Sequence, residues 1–134
     1  MASLNRVNHF EIHASNPEKV MKFYADLFGW KFEKYPLPNM EYWGIMTGEK
    51  PEESAINGGL VKRMGAAPKG GEPVNAFVCT MTVDDLDAMM KKAVTLGGEI
   101  ALPKMPIPGM AWLGYCKDND GTIFGMIQND KNAK

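Results

Sequence analysis

His9, Glu11 and His13 are the residues whose types and spacing could do chemistry. They alternate with Phe10, Ile12 and Ala14, so period-two geometry puts the three polar side chains on one face of a strand and the apolar ones on the other. Imidazole and carboxylate side by side can move a proton next to a carbonyl, or can simply orient a polar ligand group. The same residues form a poor metal site. A strand advances ~3.3 Å per residue, which separates the His9 and His13 backbones by ~13 Å. Zinc ligands must all reach to within ~2.0–2.2 Å of the ion. Either His9 with Glu11 or Glu11 with His13 could contribute to one ion, and each pair needs partners from elsewhere. The chain has 2 histidines in all, so no third is available.

The elements that position this strand recur. Asn16-Pro17-Glu18 is an N-cap, a proline at the first helical position and an acidic first turn. The helix carries Val20, Phe23, Tyr24, Leu27 and Phe28 as its apolar stripe and ends at Gly29. Strands are expected over 31–35, 41–47 and 56–62, separated by the turns at 36–39 and 48–54. Residues 76–83 alternate like residues 8–14. Asp84 or Asp85 then caps a helix striped by Leu86, Met89, Met90, Ala93 and Leu96, which closes at Gly97. Gly29 and Gly97 stand 68 residues apart, about half the chain. Strands are expected again over 99–102, 111–116 and 122–128, with a proline-rich loop at 103–109, a potential lid, and an Asp118-Asn119-Asp120-Gly121 turn. The reading is one α+β domain over 1–134 with βαβββ order twice: unit one over about 5–64, a Gly/Pro linker over about 65–73, and unit two over about 74–130.

Composition narrows the function classes. With 134 residues, 45% hydrophobic and 23% charged, the chain is ordinary globular material able to bury a core. A net charge of −1 without a basic tract gives nucleic acid or an anionic membrane no footing. No apolar run approaches the ~20 residues that span a bilayer, and the first residues lack a basic-then-apolar leader pattern. Cys79 and Cys116 form neither a disulfide framework nor a zinc spacing. A reduced, cytoplasmic protein is the expectation. Parity turns Cys79 toward the helix as a core thiol.

The capped helix ending Phe23-Tyr24 … Phe28-Gly29-Trp30, the Gly58-Gly59-Leu60 run, and Asp118-Asn119-Asp120-Gly121 before the final strand resemble the vicinal-oxygen-chelate superfamily. That group holds glyoxalase I, bleomycin-resistance proteins and extradiol dioxygenases. The resemblance covers nearly the whole chain. It implies two tandem βαβββ units, each sheet curled into a half-barrel around a cleft with the helices outside. His9, Glu11 and His13 would then face the cleft, as would Val78, Thr80 and Thr82. Metal-dependent members place four ligands there, two on the first strands of the units and two carboxylates on the last. Those positions fall here on His9, Val78, Gly59 and Gly125, of which only His9 can ligate. No cofactor is therefore expected, and a divalent metal, if any, would come through His9.

Gly59 and Gly125, 66 residues apart, are read either as openings where a ligand meets the backbone or as points of sheet curvature. Trp43 or its neighbour Tyr42, and Trp112 or Tyr115, could stack a planar ligand, with core packing as the alternative. The resemblance implies a small, partly apolar organic ligand bound without the family's full metal site, and a homodimer. The alternative is a lyase, isomerase or dioxygenase-type enzyme that uses His9 and Glu11 as an acid–base pair or recruits a metal through His9. A third reading is an interaction module that uses its sheet edges.

Overall fold

The computed structural model describes residues 4–5, 7–50 and 55–134; part of the expected 48–54 turn, residues 51–54, lies outside the described residues. The chain is α+β. Its first half runs β1 (Phe10–Ala14), α1 (Pro17–Phe28), β2 (Lys31–Tyr35), β3 (Tyr42–Met46) and β4 (Gly58–Lys62). The second runs β5 (Thr80–Thr82), α2 (Leu86–Thr95), β6 (Glu99–Ile107), β7 (Ala111–Lys117) and β8 (Ile123–Asn129). The strands form two open four-stranded sheets, ordered β1-β4-β3-β2 and β5-β8-β7-β6. In each, the first strand runs parallel to the last and the remaining pairs are antiparallel. The chain divides into two compact units, Met1–Ala66 and Ala67–Lys134.

Local chemistry sets the ends of the helices. Asn16 Oδ1 accepts from the Lys19 amide at 3.2 Å, and Pro17 opens α1 where an amide hydrogen would have no helical partner. Gly29 closes it at φ +75°, and its N–H donates to the Ala25 carbonyl. Asp85, not Asp84, caps α2 by accepting from the Ala88 amide at 3.1 Å. A second capping bond crosses from the sheet: Gln128 Oε1 accepts from the Leu86 amide at 2.8 Å. This satisfies a first-turn donor beside a fully buried side chain.

Each helix covers one face of its own sheet. In the first unit Val20, Phe23, Tyr24 and Leu27 of α1 are buried together with Ile12, Ala14, Ile45 and Leu60 of the strands. Trp30 completes this layer, its ring stacked on Tyr24 at 5.1 Å and tilted against Phe10 at 5.6 Å. In the second unit Leu86, Met90 and Ala93 are buried with Cys116, Phe124 and Met126. Gly114 lies so close to the Met90 thioether that a Cβ there would sit 2.6 Å from the sulfur.

Three expectations change. The strand expected over 76–83 is only Thr80–Thr82, because the ladder to β8 spans only Gly125–Ile127. Phe77 is consequently 99% exposed rather than packed under α2. Cys79 is exposed, not a core thiol, although its carbonyl still accepts from the Gly125 amide. Alternation in sequence does not reveal whether a neighbouring strand exists to pair with. Finally, 103–109 is no lid loop. β6 runs through Pro103 and Pro106 to Ile107, with register shifts between Ile100 and Met105. It lies at the end of the sheet order, where prolines and bulges are tolerated. The turn that follows places Gly109 at φ +76°.

The bond from Gln128 to the Leu86 amide predicts that Gln128→Leu lowers unfolding free energy by about 1–2 kcal/mol in urea titration, the usual cost of a lost cap and a stranded buried donor.

Candidate functional site

Strand register assigns every side chain of the first sheet to a face. Two rows cross the face opposite α1. One is Tyr35–Tyr42–Val61–His13 and the other Glu33–Gly44–Gly59–Glu11. Glu11 and His13 are neighbours on this face and touch: His13 Nε2 lies 2.7 Å from Glu11 Oε1, with both side chains about half exposed at 47%. Glu11, expected beside both His9 and His13, is bonded to His13. His9 precedes the first ladder residue, Phe10, and so lies outside the sheet that holds Glu11 and His13 in register.

The glycine row is roofed by tyrosine. A Cβ on Gly59 would have three atoms of the Tyr42 ring and hydroxyl within 2.7 Å, and one on Gly44 would meet the Tyr35 hydroxyl at 2.9 Å. Tyr42 is directly opposite Val61, so it reaches Gly59 diagonally, a separation aromatic side chains can span. Tyr35 and Tyr42 stack on each other at 5.6 Å with their planes 18° apart. Together they form an aromatic ledge across the open face, bordered by the Glu11–His13 pair.

The second sheet reaches a similar result from different positions. Its open face carries the rows Leu102–Tyr115–Gly125–Thr80 and Met105–Leu113–Ile127–Thr82. Tyr115 is directly opposite Gly125, not diagonal to it. A Cβ on Gly125 would meet Thr80 Oγ1 at 2.8 Å and the Tyr115 ring at 3.1 Å. Val78 is half-buried just before β5.

The choice between neighbouring aromatics is thus decided by register. Tyr42 and Tyr115 lie on the open faces. Trp43 shares a row with Lys34, Leu60 and Ile12 on the α1 side, with the Lys34 ammonium 5.5 Å from its ring centre. Trp112 shares a row with Gln128 on the α2 side. Its indole N–H donates to Asp130 at 2.9 Å, and the Lys104 ammonium sits 4.7 Å over its ring while also bonding Asp87 at 3.0 Å. Trp43 and Trp112, for which stacking and core packing are the two readings, lie on the helix-bearing faces. Sequence alternation alone does not separate Tyr42 from Trp43 and does not point to Tyr35; the shared parity of Tyr42 and Gly44 separates the pair once β3 is known to start at Tyr42.

The donor set does not fit the family's four-ligand metal. Of the four positions, one holds an imidazole. At Gly59 and Gly125, where carboxylates would be needed, the adjoining space is taken by Tyr42 and by Thr80 with Tyr115. Among the described residues no three His, Cys, Asp or Glu side chains group closely enough to share an ion. Titratable groups elsewhere have defined environments. The Asn132 amide, the Trp112 indole and the charge of Lys104 hold the Asp130 carboxyl below the usual range. Burial pushes the Cys116 thiol up.

Two outcomes are expected from these contacts. Gly59→Ala forces the Tyr42 ring to move and costs about 1–3 kcal/mol. In a Tyr42→Ala background the same change costs far less, a coupling that a double-mutant cycle in urea measures directly. Trp112→Phe raises the Asp130 pKa toward the ordinary carboxylate range, as followed by NMR. Because that pKa is depressed in the folded state, its stabilising contribution is present above the unfolded pKa and lost as pH falls through the folded one. In Trp112→Phe that acid-side dependence weakens.

The sequence profile of the Glyoxalase/Bleomycin resistance protein/Dioxygenase superfamily matches residues 6–125. A curated relative from Mycobacterium bovis, named "Putative glyoxylase CFP32", is 26% identical over 130 residues, covering 93% of this chain and 46% of the relative. The chain spans about half the length of the first curated relatives it matches. A "Glyoxylase-like domain-containing protein" of Didymella fabae is 29% identical over 94 residues, 70% of each chain. Among solved structures, a glyoxylase/bleomycin resistance protein/dioxygenase domain from Frankia sp. EAN1pec aligns with a TM-score of 0.72 at 13% identity, covering 96% of this chain and 100% of that one. Glyoxalase I from Zea mays aligns at 0.68 and 22% identity over 96% of this chain and 45% of that one. At these identities the structural likeness concerns the fold. The extent of the profile match carries the family: the chain belongs to the glyoxalase/bleomycin resistance protein/dioxygenase superfamily.

Proposed function

We propose that the protein binds a small, partly apolar, planar organic molecule against the open faces of its sheets, without the four-ligand metal site of its metal-dependent relatives. The observation that carries this reading is the tyrosine roof over glycine, present in both units. Tyr35 and Tyr42 give a flat aromatic surface with phenolic hydroxyls at its edge, suited to stacking a ring and donating to its substituents. Tyr115 and Thr80 offer the same combination on the second sheet, and Val78 adds apolar surface next to it. Gly59 and Gly125 matter here because a side chain at either would crowd the neighbouring tyrosine. Ligand contacts therefore pass to the rings and not to bare backbone. The small-molecule partner and the homodimer belong to this reading, as does a role within the cytoplasm.

The 2.7 Å contact between Glu11 and His13 favours a second reading, an enzyme of the lyase or isomerase kind. The pair sits on the same face as the ledge, and its carboxylate can orient the imidazole toward a bound ligand. One of the two groups would take a proton from a carbon next to a carbonyl and return it to a neighbouring atom, leaving the ligand isomerised. His9, just before β1, has no assigned step.

Binding and turnover separate under mutation. In equilibrium binding of a panel of planar aromatic compounds, followed by quenching of tryptophan and tyrosine fluorescence, Tyr42→Ala is expected to weaken the bound compounds about tenfold, the scale of one lost stacking contact with a hydrogen bond. His13→Gln should leave that affinity within about twofold. If a compound is also turned over, His13→Gln abolishes turnover while binding persists. Compounds that bind equally well to wild type and Tyr42→Ala would remove the ledge from the binding site.

A further inference from the structure

The second unit carries a groove on the helix-bearing face of its sheet, between α2 and β6, on the face opposite Tyr115 and Thr80. Its volume is about 530 Å³, within the range of small-ligand sites. The chain reverses between the two elements at Gly97, which adopts φ +103°. Asp87, Met90, Lys91 and Val94 recur at helical spacing and make one wall. Ile100, Pro103 and Lys104 make the other. Met90, only 5% exposed, is the floor, and it settles there because Gly114 puts no side chain beneath its thioether.

A break in the strand ladder gives the groove a charged end. The β6–β7 register shifts on both sides of Leu102, and the pairing passes from Leu102–Tyr115 to Met105–Leu113 without Pro103 or Lys104. Such irregularities re-aim side chains. Lys104 accordingly leans back toward the helix: its ammonium lies 4.7 Å over the Trp112 ring and bonds Asp87 at 3.0 Å. Asp87 also stands one helical turn from Lys91, the ordinary spacing for an ion pair, yet the bond it makes is to Lys104. This end of the groove therefore holds two ammonium groups against one carboxylate. The other end is aliphatic, with Val94 46% and Ile100 49% exposed. Among the described residues no aromatic side chain lines the groove.

We infer that this groove binds an amphipathic carboxylate with a short, unbranched hydrocarbon chain. The anion meets Lys91 and Lys104, and the chain lies against Val94 and Ile100. Charge complementarity sets the direction: the surplus ammonium attracts the anion to one end, while covering the exposed aliphatic side chains at the other removes apolar surface from water. The wall from Asp87 to Val94 is ~10 Å long at ~1.5 Å per helical residue, which suits a chain lying along it. A planar ring would find no ring here to stack on. The site differs from the tyrosine ledge in both position and chemistry, and it stands whether or not the ledge binds a ligand.

Decanoate and decyltrimethylammonium share an alkyl chain and differ in the sign of the head group. Each is titrated into the isotopically labelled full chain, below the concentration at which it self-assembles, and amide shifts are followed by NMR. Decanoate is expected to shift amides of α2 and β6 and to bind more tightly than the cation. Lys91→Glu, which replaces attraction by repulsion, should weaken decanoate about tenfold and leave decyltrimethylammonium no weaker. Ile100→Ala should weaken both probes about threefold by shortening the apolar wall they share. Lys91 and Ile100 are exposed, and the comparison of the two probes on the unaltered chain needs no variant. Equal affinity for the two probes, decanoate binding indifferent to Lys91→Glu, or shifts confined to residues outside α2 and β6 would each overturn the site.

Discussion

A tyrosine packed against a glycine on the strand ladder is the contact on which the candidate site depends. A Cβ at 59 would enter the volume of the Tyr42 hydroxyl and ring, and one at 125 would crowd Thr80 Oγ1 and the Tyr115 ring. It gives each open face an aromatic surface instead of a row of pockets. The opposite faces obey the reverse rule. There, Leu60 and Met126, one residue further along the same strands, are fully buried under the helices. Adjacent residues on β4 and β8 therefore serve unrelated ends, one excluding water from the core and the next making room for an aromatic roof.

Much of the fold was legible because the punctuation is local. Asn16-Pro17, Gly29, Asp85 and Gly97 act through their own backbone geometry, and each marks a boundary without reference to the rest of the chain. The 68-residue spacing of the helix ends exposed the duplication for the same reason. What depended on a partner strand was less legible. Residues 76–79 alternate as well as any strand in the chain, yet only Thr80–Thr82 have β8 beside them. Prolines at 103 and 106 read as a loop, yet an end strand accommodates them.

The site was legible in part. Glu11 and His13 share a face because two-residue spacing dictates it, and the structure joins them. Whether His9 would join them depended on where the ladder begins, which composition does not encode. The aromatics show the limit of repeat arithmetic. Tyr115 faces Gly125 directly, and Tyr42 reaches Gly59 on the diagonal, so the two tyrosines do not occupy equivalent positions in the two units. Superposing one unit's sequence on the other aligns the glycines and misses the rings. Trp43 and Trp112, the bulkier residues, are turned by register toward the helix-bearing faces.

The tyrosine-on-glycine contact also orders the routes by which this chain can change. Tyr42 can be shortened first, since removing the ring leaves only empty space above Gly59. The reverse order is obstructed, because a carboxylate arriving at 59 meets the ring before it meets a metal. Any acidic side chain placed at 59 must therefore follow the loss of this aromatic roof, so the order of two single changes is set by packing alone.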